Sequence, residues 1–236
     1  TEIYTLSLHD ALPISRTWHK LLTPGQQFST SSAALNTLVP DTVTILAGLD
    51  SEPAINLAQH VSELLAYPYG CLEQTVSGFF PHILLSFDQF AQLGVDAGTQ
   101  EATSEKIRRG MQGLLEKQKS SGAFGLWNAN SPESPWLTAY ATHMMVEAVD
   151  AGYEVPVNAV KNALTRLAVY VRRPKVIPCP GWTDAKMFRA ATRAYAAFIL
   201  ARVSSLGLGD ARNVYDYVKA NHPTPLSLVH AGTALG

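Results

Sequence analysis

Cys71 and Gln74 stand three residues apart in Tyr67-Pro68-Tyr69-Gly70-Cys71-Leu72-Glu73-Gln74-Thr75. On the first turn of a helix, side chains at i and i+3 are neighbours, with Cβ atoms about 5–6 Å apart. A thiol and a carboxamide so placed can condense: the sulfur attacks the Gln carbonyl carbon, ammonia leaves, and an internal thioester remains. Such a bond is a stored acyl donor. The spacing alone also fits an inert cysteine packed as a small apolar residue.

The neighbours sharpen the reading. Pro68 holds Tyr67 out of helical geometry, and Gly70 permits a tight approach into the helix. Glu73 can orient or polarise the forming bond, and an acid in the first turn also simply suits the helix N-terminus. A stored thioester must be kept from water, so its pocket should be apolar and aromatic. Tyr67, Tyr69, Phe79, Phe80, Trp127, Trp136 and Tyr140 are the candidate rings. Each also fits ordinary core packing at helical spacing.

Other chemistries are weaker. His60, His82 and His143 raise a Cys–His hydrolase reading, but lone histidines in helical chains are more often surface or hydrogen-bonded residues. A Cys71–Cys179 disulfide would remove the thioester. No Cys/His spacing matches a zinc site, and there is no Gly-rich phosphate loop.

Helices must position these groups. After Asp41–Leu46, whose β-branched alternation reads as a strand, the pattern turns helical and stays so. Asp50 or Ser51 can cap a first helix carrying Ile55, Ala58, Val61 and Leu65. Cys71 to Phe79 opens a second, which Pro81 should kink or restart. Residues 103–118 form a third. Pro135 to Val149 forms a fourth, closed by Gly152. Pro156–Val171, Asp184–Val203, Asp210–Ala220 and Pro225–Leu235 follow. Ala139-Tyr140-Ala141 recurs as Ala194-Tyr195-Ala196, 55 residues later, and each copy follows a Gly/Trp loop, Gly122–Trp127 or Gly181-Trp182. Helix pairs repeated at this length suggest stacking into a solenoid or toroid.

The chain has 236 residues, 47% hydrophobic and 16% charged, with net charge −1. That is room for one sizeable domain and part of another. The charge gives no nucleic-acid footprint, and no apolar run is long enough to span a membrane. Residues 1–15 look like a non-native tail and carry no functional argument. Residues 16–49 read as the end of a preceding β domain or a linker, and 50–236 as the helical domain.

The Tyr67–Thr75 stretch resembles the thioester signature of the alpha-2-macroglobulin superfamily in its bacterial form. Complement proteins and animal members usually carry Gly where Leu72 stands, and bacterial members vary there. Trp136-Leu-Thr-Ala-Tyr140, after a Gly-x-Phe-x-x-Trp loop, is similar to the helical repeat of that family's thioester domain. The resemblance runs from about residue 50 to the C-terminus. It implies an all-α fold, an α/α toroid like the terpenoid cyclases, incomplete here, after a short β-containing remnant. It implies a Cys71–Gln74 thioester with no other cofactor, in a single-use endopeptidase inhibitor rather than an enzyme. The partners implied are proteases, acylated at a surface lysine, and other domains of a longer chain. The place implied is the periplasm, with membrane contact only through an anchor outside this stretch. In complement relatives a histidine before a later repeat takes over the acyl group. The matching loop, Arg172–Thr192, has none, which implies direct attack by amines. Two rivals stand: an α/α-toroid enzyme, cyclase-like or using Cys71 as nucleophile, and a structural repeat with an inert Cys71. A cyclase would want an Asp-rich acid motif, and the chain has none.

Overall fold

The computed structural model describes residues 20–29, 36, 39, 43, 45, 57–66, 70–179, 181, 184–221 and 223–235. The chain divides into two compact units, Thr1–Ala54 and Ile55–Gly236. In the first, the described residues form a turn in which Gln26 N–H donates to the Thr23 carbonyl at 3.0 Å. The strand expected at Asp41–Leu46, the cap at Asp50 or Ser51, and the tail 1–15 lie outside the described residues, apart from Val43 and Ile45.

The second unit is all-α. Its helices are α1 Leu57–Leu65, α2 Leu72–Leu84, α3 Phe87–Gln92, α4 Gln100–Leu115, α5 Pro135–Asp150, α6 Val157–Arg172, α7 Ala185–Arg202, α8 Leu208–Asn221 and α9 Pro225–Thr233. Local chemistry sets most of the ends. The side chains of Ser86, Thr99, Asp184 and Thr224 each accept a backbone N–H at a helix start. Gly152, at φ +84°, closes α5 as expected. Pro81 does not restart the chain. It sits in the last turn of α2, where little helix remains to be disturbed, and the restart falls at Ser86.

The helices form the two layers of an α/α toroid. One layer is α2, α5, α7 and α9, packed in succession. The other flanks it: α4 lies on α2, α6 on α5 and α7, and α8 on α7 and α9. Burial follows this order. α7 buries residues nearly all round, from Phe188 to Leu200, with Ala190, Ala194, Ala196 and Ala197 letting its neighbours approach. α6 buries one stripe, Ala159, Ala163, Leu167 and Tyr170, as a flanking helix should. The two copies of the Ala-Tyr-Ala repeat therefore fall on successive helices of one layer, α5 and α7. Full burial of a side chain such as Phe79 contributes about 1.5–3 kcal/mol.

Candidate functional site

Cys71 is the N-cap of α2, with extended backbone (φ −71°, ψ 166°), and Gln74 is its N3 residue. Gln74 Oε1 accepts the Cys71 backbone N–H at 3.2 Å. This is one arm of a capping box, in which a Gln at N3 reaches back to the N-cap. A cysteine stands where Ser or Thr is usual, so the capping geometry brings a thiol and a carboxamide together. Cys71 is 7% exposed and Leu72, Val76 and Phe79 are buried. Glu73 is exposed in the first turn, where its charge favours the helix N-terminus.

The turn is held from outside by the loop between α4 and α5. Leu72 N–H, otherwise without a partner at a helix start, donates to the Leu126 carbonyl at 2.7 Å. Phe124 N–H donates to Thr138 Oγ1 at 3.0 Å, tying the loop to α5.

Of the expected rings, Tyr140 meets α2. Its hydroxyl lies 3.1 Å from Ser77 Oγ, and its ring is 5.7 Å from Phe80. Burial raises the Tyr140 pKa, and the Glu73 charge adds to this against the Ser77 hydrogen bond. Trp136 instead packs on Tyr195 of α7, ring centroids 5.1 Å apart. Trp127, next to Leu126, is 60% exposed. Phe79 faces α4, close over Gly110. Tyr67, Pro68 and Tyr69 lie outside the described residues. Gly70 is exposed, its φ is not left-handed, and among the described residues a Cβ there would meet nothing within 4 Å.

His143 is engaged away from the thiol. His143 Nδ1 pairs with the Tyr195 hydroxyl at 2.9 Å and Nε2 with Glu147 Oε1 at 3.2 Å. The carboxylate favours the proton on Nε2, leaving Nδ1 to accept from Tyr195. Burial lowers the His143 pKa, with Glu147 opposing and Arg202 adding. His82 is buried with its ring 5.3 Å from Phe90, and His60 is exposed beside Glu63. Neither cysteine is in a disulfide. Cys179 is half-buried, its Sγ 3.3 Å from the Ile177 carbonyl. Among the described residues no group of His, Cys, Asp and Glu could hold a metal, and no helix is long and apolar enough to cross a membrane.

Sequence reasoning missed Ser77 and the Leu126 carbonyl. Ser77 was legible as the one hydroxyl three residues beyond Gln74, in an apolar run. A backbone carbonyl from a distant loop leaves no residue-type signal.

A family model described as the A-macroglobulin TED domain matches residues 44–172. The alpha-2-macroglobulin of Escherichia coli K12 is 35% identical over 214 residues, 91% of this chain and 13% of that protein. That of Xylella fastidiosa Temecula1 is 31% identical, over 84% of this chain and 12% of its own length. Among solved structures, the native conformation of E. coli alpha-2-macroglobulin matches at TM-score 0.73 and 36% identity, over 78% of this chain and 12% of that one. Salmonella alpha-2-macroglobulin reacted with methylamine matches at TM-score 0.72 and 36% identity, with the same coverage. The chain thus spans 13% or less of these relatives.

Proposed function

Because the chain belongs to the A-macroglobulin TED-domain family, which it shares with bacterial alpha-2-macroglobulins, we propose that it stores a Cys71–Gln74 thioester and spends it once on a protease. Cys71 Sγ attacks Gln74 Cδ, the C–S bond forms, and the carboxamide nitrogen leaves as ammonia. When the bond is uncovered, the Nζ of a protease lysine attacks the same carbon. The C–S bond breaks, the thiolate leaves and takes up the proton lost by the amine, and an amide joins the two proteins. A thioester is reactive enough for an unassisted amine, whereas a hydroxyl near neutral pH needs a base.

The observation that carries this reading is the fold-back of Gln74 onto the Cys71 N–H. It is supported by the low exposure of Cys71 and by the relatives. Solved structures include Salmonella alpha-2-macroglobulin reacted with methylamine and E. coli alpha-2-macroglobulin activated by trypsin and by porcine elastase. In this reading the rest of a longer chain supplies the segment that a protease cuts, and the protein works in the periplasm, with membrane contact only through an anchor outside this stretch. The rival hydrolase would turn over with a histidine beside Cys71, whereas His143 is hydrogen-bonded to Tyr195 and Glu147 and His60 is exposed beside Glu63.

The test is covalent. Protein mixed with trypsin is denatured and digested, and cross-linked peptides are sequenced. The reading expects Gln74 joined through its side-chain carbonyl to a trypsin lysine, and no adduct from Cys71→Ala. Adducts that persist in Cys71→Ala would overturn it.

A further inference from the structure

The loop that holds the reactive turn is itself fastened to α6, a helix that packs chiefly on α5 and α7. There are three points of attachment. Gln118 Nε2 donates to the Ala159 carbonyl at 2.9 Å. At Gly122, φ is +83° and a Cβ would stand 2.1 Å from the Asn162 carbonyl oxygen, so bare backbone presses on the helix. At the loop's end, Glu133 receives Arg166 on both carboxylate oxygens, at 2.8 and 2.6 Å from Nη2, and accepts the Tyr170 hydroxyl. Residues 159, 162, 166 and 170 recur every three or four positions, so the loop runs along one face of α6. Lys119 Nζ closes the loop on itself by donating to the carbonyls of Ala129 and Ser131.

The Glu133 and Arg166 side chains are only 12% and 20% exposed. Removing one partner strands the other charge away from water, and the loop end must then move to solvate it. Leu126 lies in the same loop, next to Gly125, which bridges Glu133 and whose N–H donates to the Lys117 carbonyl at 3.0 Å. Movement at Glu133 therefore reaches the Leu126 carbonyl, and through it Leu72 and the residue before it.

We propose that Glu133 is a positioning residue for the Cys71–Gln74 bond: clamped by Arg166 and Tyr170, it makes α6 set the reactive turn at a distance, through the Leu126 carbonyl. This rests on the thioester reading above. Misplacement of reacting groups by about 1 Å can change rates up to about a hundredfold. The shielding of a stored acyl bond depends on the same placement.

The experiment compares spontaneous thioester hydrolysis, followed by thiol titration of Cys71, with thermal stability in four proteins: the parent, Glu133→Gln, the milder Tyr170→Phe, and Thr224→Ala. Thr224 caps α9, its Oγ1 accepting the Ser227 N–H at 3.2 Å, and α9 packs on α7 and α8, so its loss destabilises the fold away from the loop and from α6. At a temperature where all four remain folded, Glu133→Gln should hydrolyse several-fold faster than the parent. Tyr170→Phe should move the same way, and Thr224→Ala should keep the parent rate. Parent-like hydrolysis in both clamp variants would overturn the proposal, and so would equal acceleration in Thr224→Ala. A parent whose Cys71 titrates freely from the start would overturn the thioester reading itself.

Discussion

The Gln74 side-chain oxygen accepts the Cys71 backbone N–H at 3.2 Å, so the carboxamide is folded back over the residue that carries the sulfur. The same bond satisfies a donor that a helix start would otherwise leave open. In the thioester reading proposed above, stabilising the helix and pre-organising the reaction are one interaction.

The two roles can be separated. Glu serves an N3 capping position as well as Gln, but a carboxylate has no ammonia to release. Gln74→Glu should keep the parent's unfolding free energy to within about 1 kcal/mol. It should nevertheless leave Cys71 titratable and unresponsive to methylamine. Chemical denaturation and thiol titration on one sample check both halves.

Gly110 on α4 lies against the buried ring of Phe79 on α2, and a Cβ there would come within 2.2 Å of that ring. Ala gains up to about 1 kcal/mol of helix propensity over Gly, but overpacking a well-filled core costs about 1–3 kcal/mol. Gly110→Ala should therefore lower the melting temperature. A rise would mean that Phe79 can move freely.

Tyr140 touches α2 through Ser77 and Phe80, whereas Trp136 rests on Tyr195. With the thioester in place, Tyr140→Ala should speed its hydrolysis several-fold at temperatures where the fold survives. Trp136→Ala should lower stability and leave that rate unchanged. The reverse ranking would return Tyr140 to plain core packing.

Burial holds the pKa values of His82, His143 and His230 below the ordinary histidine value, with Lys106 adding at His82 and His143 adding at His230. The unfolded chain therefore binds more protons than the folded one once pH falls below about 6.5. Stability should be level from pH 8 to about 7 and fall as pH drops from about 6.5 toward 5.5. Glu105, pulled to about 2 by hydrogen bonds from Arg108 and Arg109, stays ionised across this window. Thermal midpoints at three pH values test the slope, and a midpoint that rises on acidification would contradict it.

Much of this was written in local residue types. The helices announce themselves through caps and apolar stripes, and the Ala-Tyr-Ala repeat places α5 and α7 as equivalents. Cys71 and Gln74 are legible because capping depends on near neighbours in sequence. α3 was missed because six residues, Phe87–Gln92, are too short for periodicity to show. Trp127 is largely exposed and Trp136 packs on Tyr195, because an aromatic residue near a site in sequence can still face solvent or the next helix. Glu133, Arg166 and Tyr170 could not be foreseen, since their pairing is set by how the loop lies on α6.

The most direct test of the account is the intact mass of the native protein, with a thiol count at Cys71, before and after methylamine. The account predicts a mass lower than that of the sequence by one ammonia and no reactive thiol at Cys71. After methylamine it predicts a gain of one methylamine at Gln74 and one new thiol. Full sequence mass with a freely reactive Cys71 in freshly purified, folded protein would contradict it.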